Sequence, residues 1–157
     1  MGFILDEDKA AMWRGPMLSG AIKQLKDLTQ WGDLDYLFID MPPGIGDAYL
    51  TVASEIKPNQ VLLVTSQSKL AVQDTLKSKA MFEKLKIPII GLVDNMSYSI
   101  FPNSDKEIVE FPPINLENEI GLKVLGSIPR TKDLANFNPH KLSSFFEPLY
   151  NKLIKSI

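Results

Sequence analysis

The chain has 157 residues, of which 45% are hydrophobic and 23% charged, and its formal net charge is −2. That balance fits one soluble globular domain spanning residues 1–157, leaves no electrostatic footprint for nucleic acid, and includes no apolar run near the ~18 residues needed to cross a bilayer. The absence of cysteine excludes disulfides, thiolate metal sites and cysteine nucleophiles. The N-terminus lacks the basic and apolar regions of a secretory signal, so a cytoplasmic protein is expected.

Met1 to Leu5 is apolar enough for a strand, and Asp6 to Lys9 is a charged loop. Pro16 suits the first helical position, and Leu18, Ala21, Ile22, Leu25 and Leu28 recur with helical spacing until Trp31-Gly32. Gly15 and Gly20 have the separation of a P-loop, but Ala21 and Ile22 stand where that loop needs lysine and a hydroxyl residue. They read as helix glycines. Tyr36 to Ile39 is a short apolar run between Gly32-Asp33 and Pro42-Pro43-Gly44, which predicts a buried strand. Ala48 to Ile56 reads as helix and Lys57-Pro58-Asn59 as a turn.

Val61 to Thr65 is a continuous apolar strand of the kind parallel sheets use. Ser66-Gln67-Ser68 supplies cap candidates for a helix from Lys69 to about Lys86. Pro88 to Val93 is a third strand, followed by Asp94-Asn95-Met96-Ser97. Ser99 to Gly121 has no periodicity and reads as one long functional loop. Val124 to Ile128 is a fourth strand, with Pro129-Arg-Thr-Lys132 as the loop after it. Ser144 and Glu147 form a capping box for a last helix, with Pro148 near its start. His140 lies in a polar segment and reads as a surface residue. Strands alternating with helices imply parallel βαβ units, an α/β fold.

Ligands of open α/β sheets bind at the carboxyl ends of the strands. Three such ends carry polar groups: Asp40 and Asp47 after one strand, Asn95 after another, and Pro129-Arg130 after a third. Between Asp40 and Asp47, prolines at 42 and 43 remove two backbone donors. Gly44 and Gly46 free the chain to bring amides against an anion. Each residue alone also has a plainer reading: Asp40 bonded to loop amides, Asp47 as a helix cap, Asn95 satisfying its own turn.

Taken together, Asp35-Tyr-Leu-Phe-Ile-Asp-Met-Pro-Pro-Gly-Ile-Gly-Asp47 closely resembles the switch II string of the Mrp/ApbC family, MinD-like P-loop ATPases that carry iron–sulfur clusters. Ile45 stands where Thr is usual. Trp13-Arg-Gly-Pro16 and Val93-Asp-Asn-Met-Ser97 resemble the family as well. The resemblance implies a partial doubly wound, mainly parallel sheet flanked by helices: a MinD-like P-loop NTPase fold missing its N-terminal strand and P-loop. It implies ATP and Mg as cofactors once a P-loop segment is supplied. Asp40 would then hold magnesium through water and Asp47 support catalysis. Pro43, Gly44 and Gly46 would contact the γ-phosphate, and Asn95, Pro129 and Arg130 the base.

Two departures shape the expected function. No G-x-x-x-x-G-K-[ST] motif is present, and Phe101-Pro-Asn-Ser104 replaces the family's Cys-Pro-x-Cys, so an iron–sulfur cluster held by this chain is not expected. Lacking the P-loop strand, the sheet would keep unpaired edges, so the chain is expected to re-pair its own strands, to form an intimate dimer, or to depend on a separate N-terminal half. The leading expectation is a fragment of an iron–sulfur cluster carrier ATPase, inactive alone, with iron–sulfur client proteins as partners and no nucleic acid or membrane. The alternatives are a non-catalytic interaction module, and a MinD/ParA-like positioning protein, for which the last helix is a poor membrane anchor.

Overall fold

The structure, a computed structural model, describes residues 15–41, 46–100, 107–108, 112–136 and 139–155. The chain falls into two compact units, Met1–Pro58 and Asn59–Ile157. Among the described residues, no helix is long and apolar enough to cross a membrane.

In the first unit, α1 (Gly15–Leu28) starts at the expected Gly-Pro pair and ends before Gly32, which turns at a φ of 65°. Trp31 Nε1 donates to the Lys26 carbonyl at 3.1 Å, satisfying an acceptor that the last helical turn leaves open. α2 (Asp47–Thr51) runs into a single π-helical turn, Val52–Ile56, closed by Lys57 in the left-handed conformation. α1 lies along this pair. Ser19 Oγ and Thr51 Oγ1 share a hydrogen bond of 2.5 Å, Lys26 Nζ donates to the Glu55 carbonyl at 2.9 Å, and Lys23 pairs with the Glu55 carboxylate at 2.9 Å. Thr51, Val52 and Ala53 are buried.

The predicted strand at Tyr36–Ile39 is not formed. Residues 36–40 carry no ladder, and Phe38 is 77% exposed. The backbone is nevertheless extended enough to set the Tyr36 and Phe38 rings on one side, 6.4 Å apart. An apolar run becomes a strand only when its N–H and C=O groups find a neighbour, and none of the described residues pairs with this one.

The second unit is built on three parallel strands: β1 (Val61–Thr65), β2 (Ile89–Ile100) and β4 (Val124–Arg130), with β2 in the middle. β3 (Glu107–Ile108) pairs antiparallel with the far end of β2. α3 (Lys69–Lys84) makes the β1-to-β2 crossover, and α6 (Pro139–Ile154) packs on β4. Leu92 and Val93 are fully buried. Adjacent strand residues point to opposite faces, so both faces of β2 are covered, as a central parallel strand requires. Leu63, Val72, Phe82, Leu116, Ile120, Leu125 and Ile128 complete the core.

Three boundaries differ from the sequence reading. β2 runs seven residues beyond Val93, because its polar continuation finds partners in β3 and β4. The stretch from Ser99 to Gly121 is not one loop. It contains β3 and the short helix α4 (Leu116–Ile120), capped by Asn115 Oδ1, which accepts from the Asn118 N–H at 3.1 Å. Lys79 Nζ closes the other end of α4 by donating to the Ile120 carbonyl at 2.7 Å. The last helix begins at Pro139, so Ser144 is interior and Pro148 sits mid-helix; a four-residue helix, α5 (Lys132–Ala135), precedes it, with Thr131 as its cap.

One carboxylate lies inside this layer. Asp94, midway along β2 and level with the end of β1, is 6% exposed, and burial pushes its carboxyl above the usual carboxylate range, partly offset by a hydrogen bond from Gln67.

Two predictions follow from the packing. A Cβ at Gly91 would lie 2.6 Å from Leu125 Cγ and 3.0 Å from the Lys123 carbonyl oxygen. Gly91→Ala therefore lowers stability by roughly 1–3 kcal/mol in urea melts, the usual range for overpacking a core. For Asp94, a raised pKa means stability present at acid pH and lost as pH rises through the folded-state pKa. Asp94→Asn keeps the acceptor for Gln67 and removes the buried charge. It raises the urea midpoint relative to the wild type at pH 7, and the gap narrows towards pH 4.

Candidate functional site

The carboxyl ends of the three parallel strands open into a cleft of about 600 Å³. One wall is Ser66–Lys69, the turn leaving β1 and the start of α3. A second is Met96–Ser99 on β2, with Arg130 at the end of β4, and a third is Pro112 and Ile114. Lys69 and Arg130 bring two cations to it, and four serines bring hydroxyls; Met96, Tyr98, Pro112 and Ile114 supply apolar surface.

The shape of the β2 wall comes from a break in register. Asn95 pairs with Ile128 and the next pair is Ser99 with Arg130, so β2 advances four residues while β4 advances two. The surplus is a bulge, and Met96 takes a φ of 55° to make it. A long non-glycine side chain in that conformation costs on the order of 1–3 kcal/mol, a strain typical of binding sites. Met96 is left 56% exposed at the cleft.

Gln67 ties two walls together. Its Nε2 donates to Asp94 Oδ2 at 2.6 Å, and its Oε1 accepts from the Ile114 N–H at 2.7 Å. Asp94 is the register partner of Thr65 on β1. Asp94 Oδ1 and Thr65 Oγ1 are both buried without a hydrogen-bond partner among the described residues.

The residues singled out from sequence divide as follows. Asn95, half-buried, and Pro129, buried, sit on β2 and β4 where Asn95 pairs with the residue preceding Pro129; exposed Arg130 follows and lines the cleft. The structure thus brings these three together on adjacent strand ends, although Pro129-Arg130 belongs to the strand and not to a loop. Asp40, exposed, and Gly46 lie in the first unit. The Gly46 carbonyl accepts from the Tyr49 N–H at 3.0 Å, which makes Asp47 the first helical residue of α2, a place where the helix dipole favours a carboxylate. Pro43 and Gly44 lie outside the described residues, as does the side chain of Asp47. Among the described residues no three His, Cys, Asp or Glu cluster as a metal site; a magnesium ion kept in its water shell needs only one or two carboxylates, which exposed Asp40 can supply.

Sequence reasoning missed Gln67, Asp94 and Met96. Gln67 had been weighed only as part of a cap, and α3 is in fact capped at Ser68 without a side-chain hydrogen bond.

Comparison with known proteins gives these features a setting. A model of the ParA family described as "NUBPL iron-transfer P-loop NTPase" matches residues 1–148. The iron–sulfur cluster carrier protein of Pseudomonas fragi is 40% identical over 137 residues, 85% of this chain and 48% of that one. The iron–sulfur cluster transfer protein NUBPL of Dictyostelium discoideum is 37% identical over 132 residues, 82% of this chain and 41% of that one. This chain thus spans less than half the length of these curated relatives. Among solved structures, the cell division ATPase MinD of Pyrococcus furiosus aligns with a TM-score of 0.63 at 24% identity, covering 92% of this chain and 60% of that one, a likeness of fold. A nucleotide-binding protein from Archaeoglobus fulgidus in complex with ADP aligns with a TM-score of 0.63 at 31% identity, covering 76% and 51%. The fold is MinD-like α/β, and the chain belongs to the NUBPL iron-transfer P-loop NTPase family, whose Mrp/ApbC resemblance the switch II string had carried.

Proposed function

We propose that this chain is the strand-tip part of an iron–sulfur cluster carrier ATPase, binding nucleotide only when a P-loop segment is supplied. The observation that carries the reading is the cleft: about 600 Å³, at the carboxyl ends of β1, β2 and β4, with Lys69 and Arg130 on its rim. That size and charge suit a nucleotide, and the Archaeoglobus relative was solved with ADP. Asn95, Pro129 and Arg130 would hold the base, Pro43, Gly44 and Gly46 the γ-phosphate. Asp40 would hold magnesium through water and Asp47 the surrounding loop. Magnesium would supply neutralisation of phosphate charge.

The part supplied from outside would be a strand as well as a P-loop. Among the described residues β1 pairs only with β2, and Val64, in the middle of β1, is 57% exposed. An edge with free backbone donors and acceptors and apolar side chains recruits another strand. A separate N-terminal half, or a second copy, would fill it. The chain has no thiolate to ligate a cluster. The cluster would be cargo held by cysteines of a partner or client.

Isothermal titration tests the reading. The chain alone is expected to bind no MgATP and hydrolyse none. Mixed with the P-loop-bearing N-terminal half of a relative, it is expected to bind MgATP. No binding in the mixture removes the reading and leaves a non-catalytic interaction module. In the competent mixture, Arg130→Ala weakens nucleotide binding by on the order of tenfold, the loss of one charge-assisted hydrogen bond. Iron and sulfide reconstitution of the chain alone gives no visible cluster absorbance.

A further inference from the structure

Gln67 uses both ends of one carboxamide: its donor goes to Asp94 Oδ2 in the middle of β2, and its acceptor takes the backbone N–H of Ile114. The three residues are far apart in sequence, 27 positions between Gln67 and Asp94 and 47 between Gln67 and Ile114. Each bond fixes a different wall. Gln67 itself and Ile114 line the cleft, while Asp94 directly precedes Asn95 and the Met96 bulge. Few side chains can do this. The group must be neutral, carry a donor and an acceptor on one planar carbon, and reach across the turn; methionine has the length but neither group, and glutamate has only acceptors when ionised.

The Asp94 end is strongly held. Asp94 is 6% exposed, and its other oxygen, Oδ1, has no partner among the described residues, where the Gln67 amide is the side-chain donor to the buried carboxylate. A buried carboxylate deprived of its donor bears a large desolvation penalty. That penalty locks Gln67 in one rotamer, and the locked Oε1 in turn fixes Ile114.

We propose that Gln67 is a positioning residue that clamps the Pro112–Ile114 wall to the end of β1 and the middle of β2 and so sets the width of the cleft for its ligand. The ligand part rests on the nucleotide reading above; the clamp itself does not. Its logic also predicts a polarity swap. In Gln67→Glu the new carboxylate still accepts from the Ile114 N–H but faces the Asp94 carboxylate. Adding Asp94→Asn supplies an amide donor on the other side, so that the bond between residues 67 and 94 re-forms with donor and acceptor exchanged while Ile114 N–H donates to residue 67 as before.

The experiment uses the full chain together with the P-loop-bearing half, with MgADP as the probe. Hydrogen exchange at the Ile114 amide and the MgADP dissociation constant are measured for the wild type, Gln67→Met, Gln67→Glu and the Gln67→Glu/Asp94→Asn pair. The expected result is exchange at Ile114 faster by roughly five- to tenfold in both single variants, MgADP binding weaker by a similar factor, and recovery of both in the pair. Unchanged Ile114 exchange in Gln67→Met overturns the clamp. So does faster exchange with unaltered MgADP affinity, since the wall would then move without consequence for the ligand; the nucleotide reading survives that outcome. If the wild type binds no MgADP, the nucleotide reading falls, and the clamp is decided by exchange: loss in the single variants and recovery in the pair support it, and a pair that fails to recover rejects it. Should Gln67→Met fail to fold, the Gln67→Glu and paired variants carry the same decision.

Discussion

The parallel pairing of β2 with β1 on one side and β4 on the other is the constraint from which the rest of the second unit follows. Parallel ladders need crossovers, so α3 must leave β1, cover a face of the sheet and return to β2. Because all three strands run the same way, their carboxyl ends lie at one edge. Whatever polar groups the sequence places just after each strand are therefore gathered there without any further device. Leu92 and Val93, buried on opposite faces of β2, anchor the strand between the layers on either side.

What the chain does with the edge depends on small departures from regularity. The surplus residues at Met96–Tyr98 bend β2 outwards, and the left-handed Met96 backbone stores strain beside the cleft. Asp94 is buried with one oxygen satisfied by Gln67 and, among the described residues, no partner for the other, beside an equally unpartnered Thr65 hydroxyl.

Much of this was legible in the sequence, for identifiable reasons. The strands β1, β2 and β4 are foreshadowed by short, mainly apolar segments at Val61–Thr65, Pro88–Val93 and Val124–Ile128, separated by helical or turn sequence. α1 carries helical spacing and stops before Gly32, whereas α3 is signalled by the cap candidates before it although its apolar residues make no single clean stripe. The switch II string named the family through its spacing of Asp40, the Pro-Pro-Gly turn and Asp47. What was not legible depends on partners distant in the chain. Residues 94–100 look like a polar turn until β3 and β4 supply ladder partners. Tyr36–Ile39 has a strand's composition, and no described residue gives it a ladder. Gln67 carries no local signal at all, because its two bonds reach 27 and 47 residues away. Ser144-x-x-Glu147 shows the reverse error: a capping pattern was read locally, while the helix had already begun at Pro139.

The central claim is that the strand-tip edge of β1, β2 and β4 is the ligand site. Amide chemical-shift mapping of the chain joined to a P-loop-bearing half, with MgADP added, tests it most directly. The claim predicts that the largest shifts fall together on Ser66–Lys69, Asn95–Ser99 and Arg130. Shifts confined to residues remote from these three strand ends, with the cleft amides unmoved while nucleotide is bound, would contradict it.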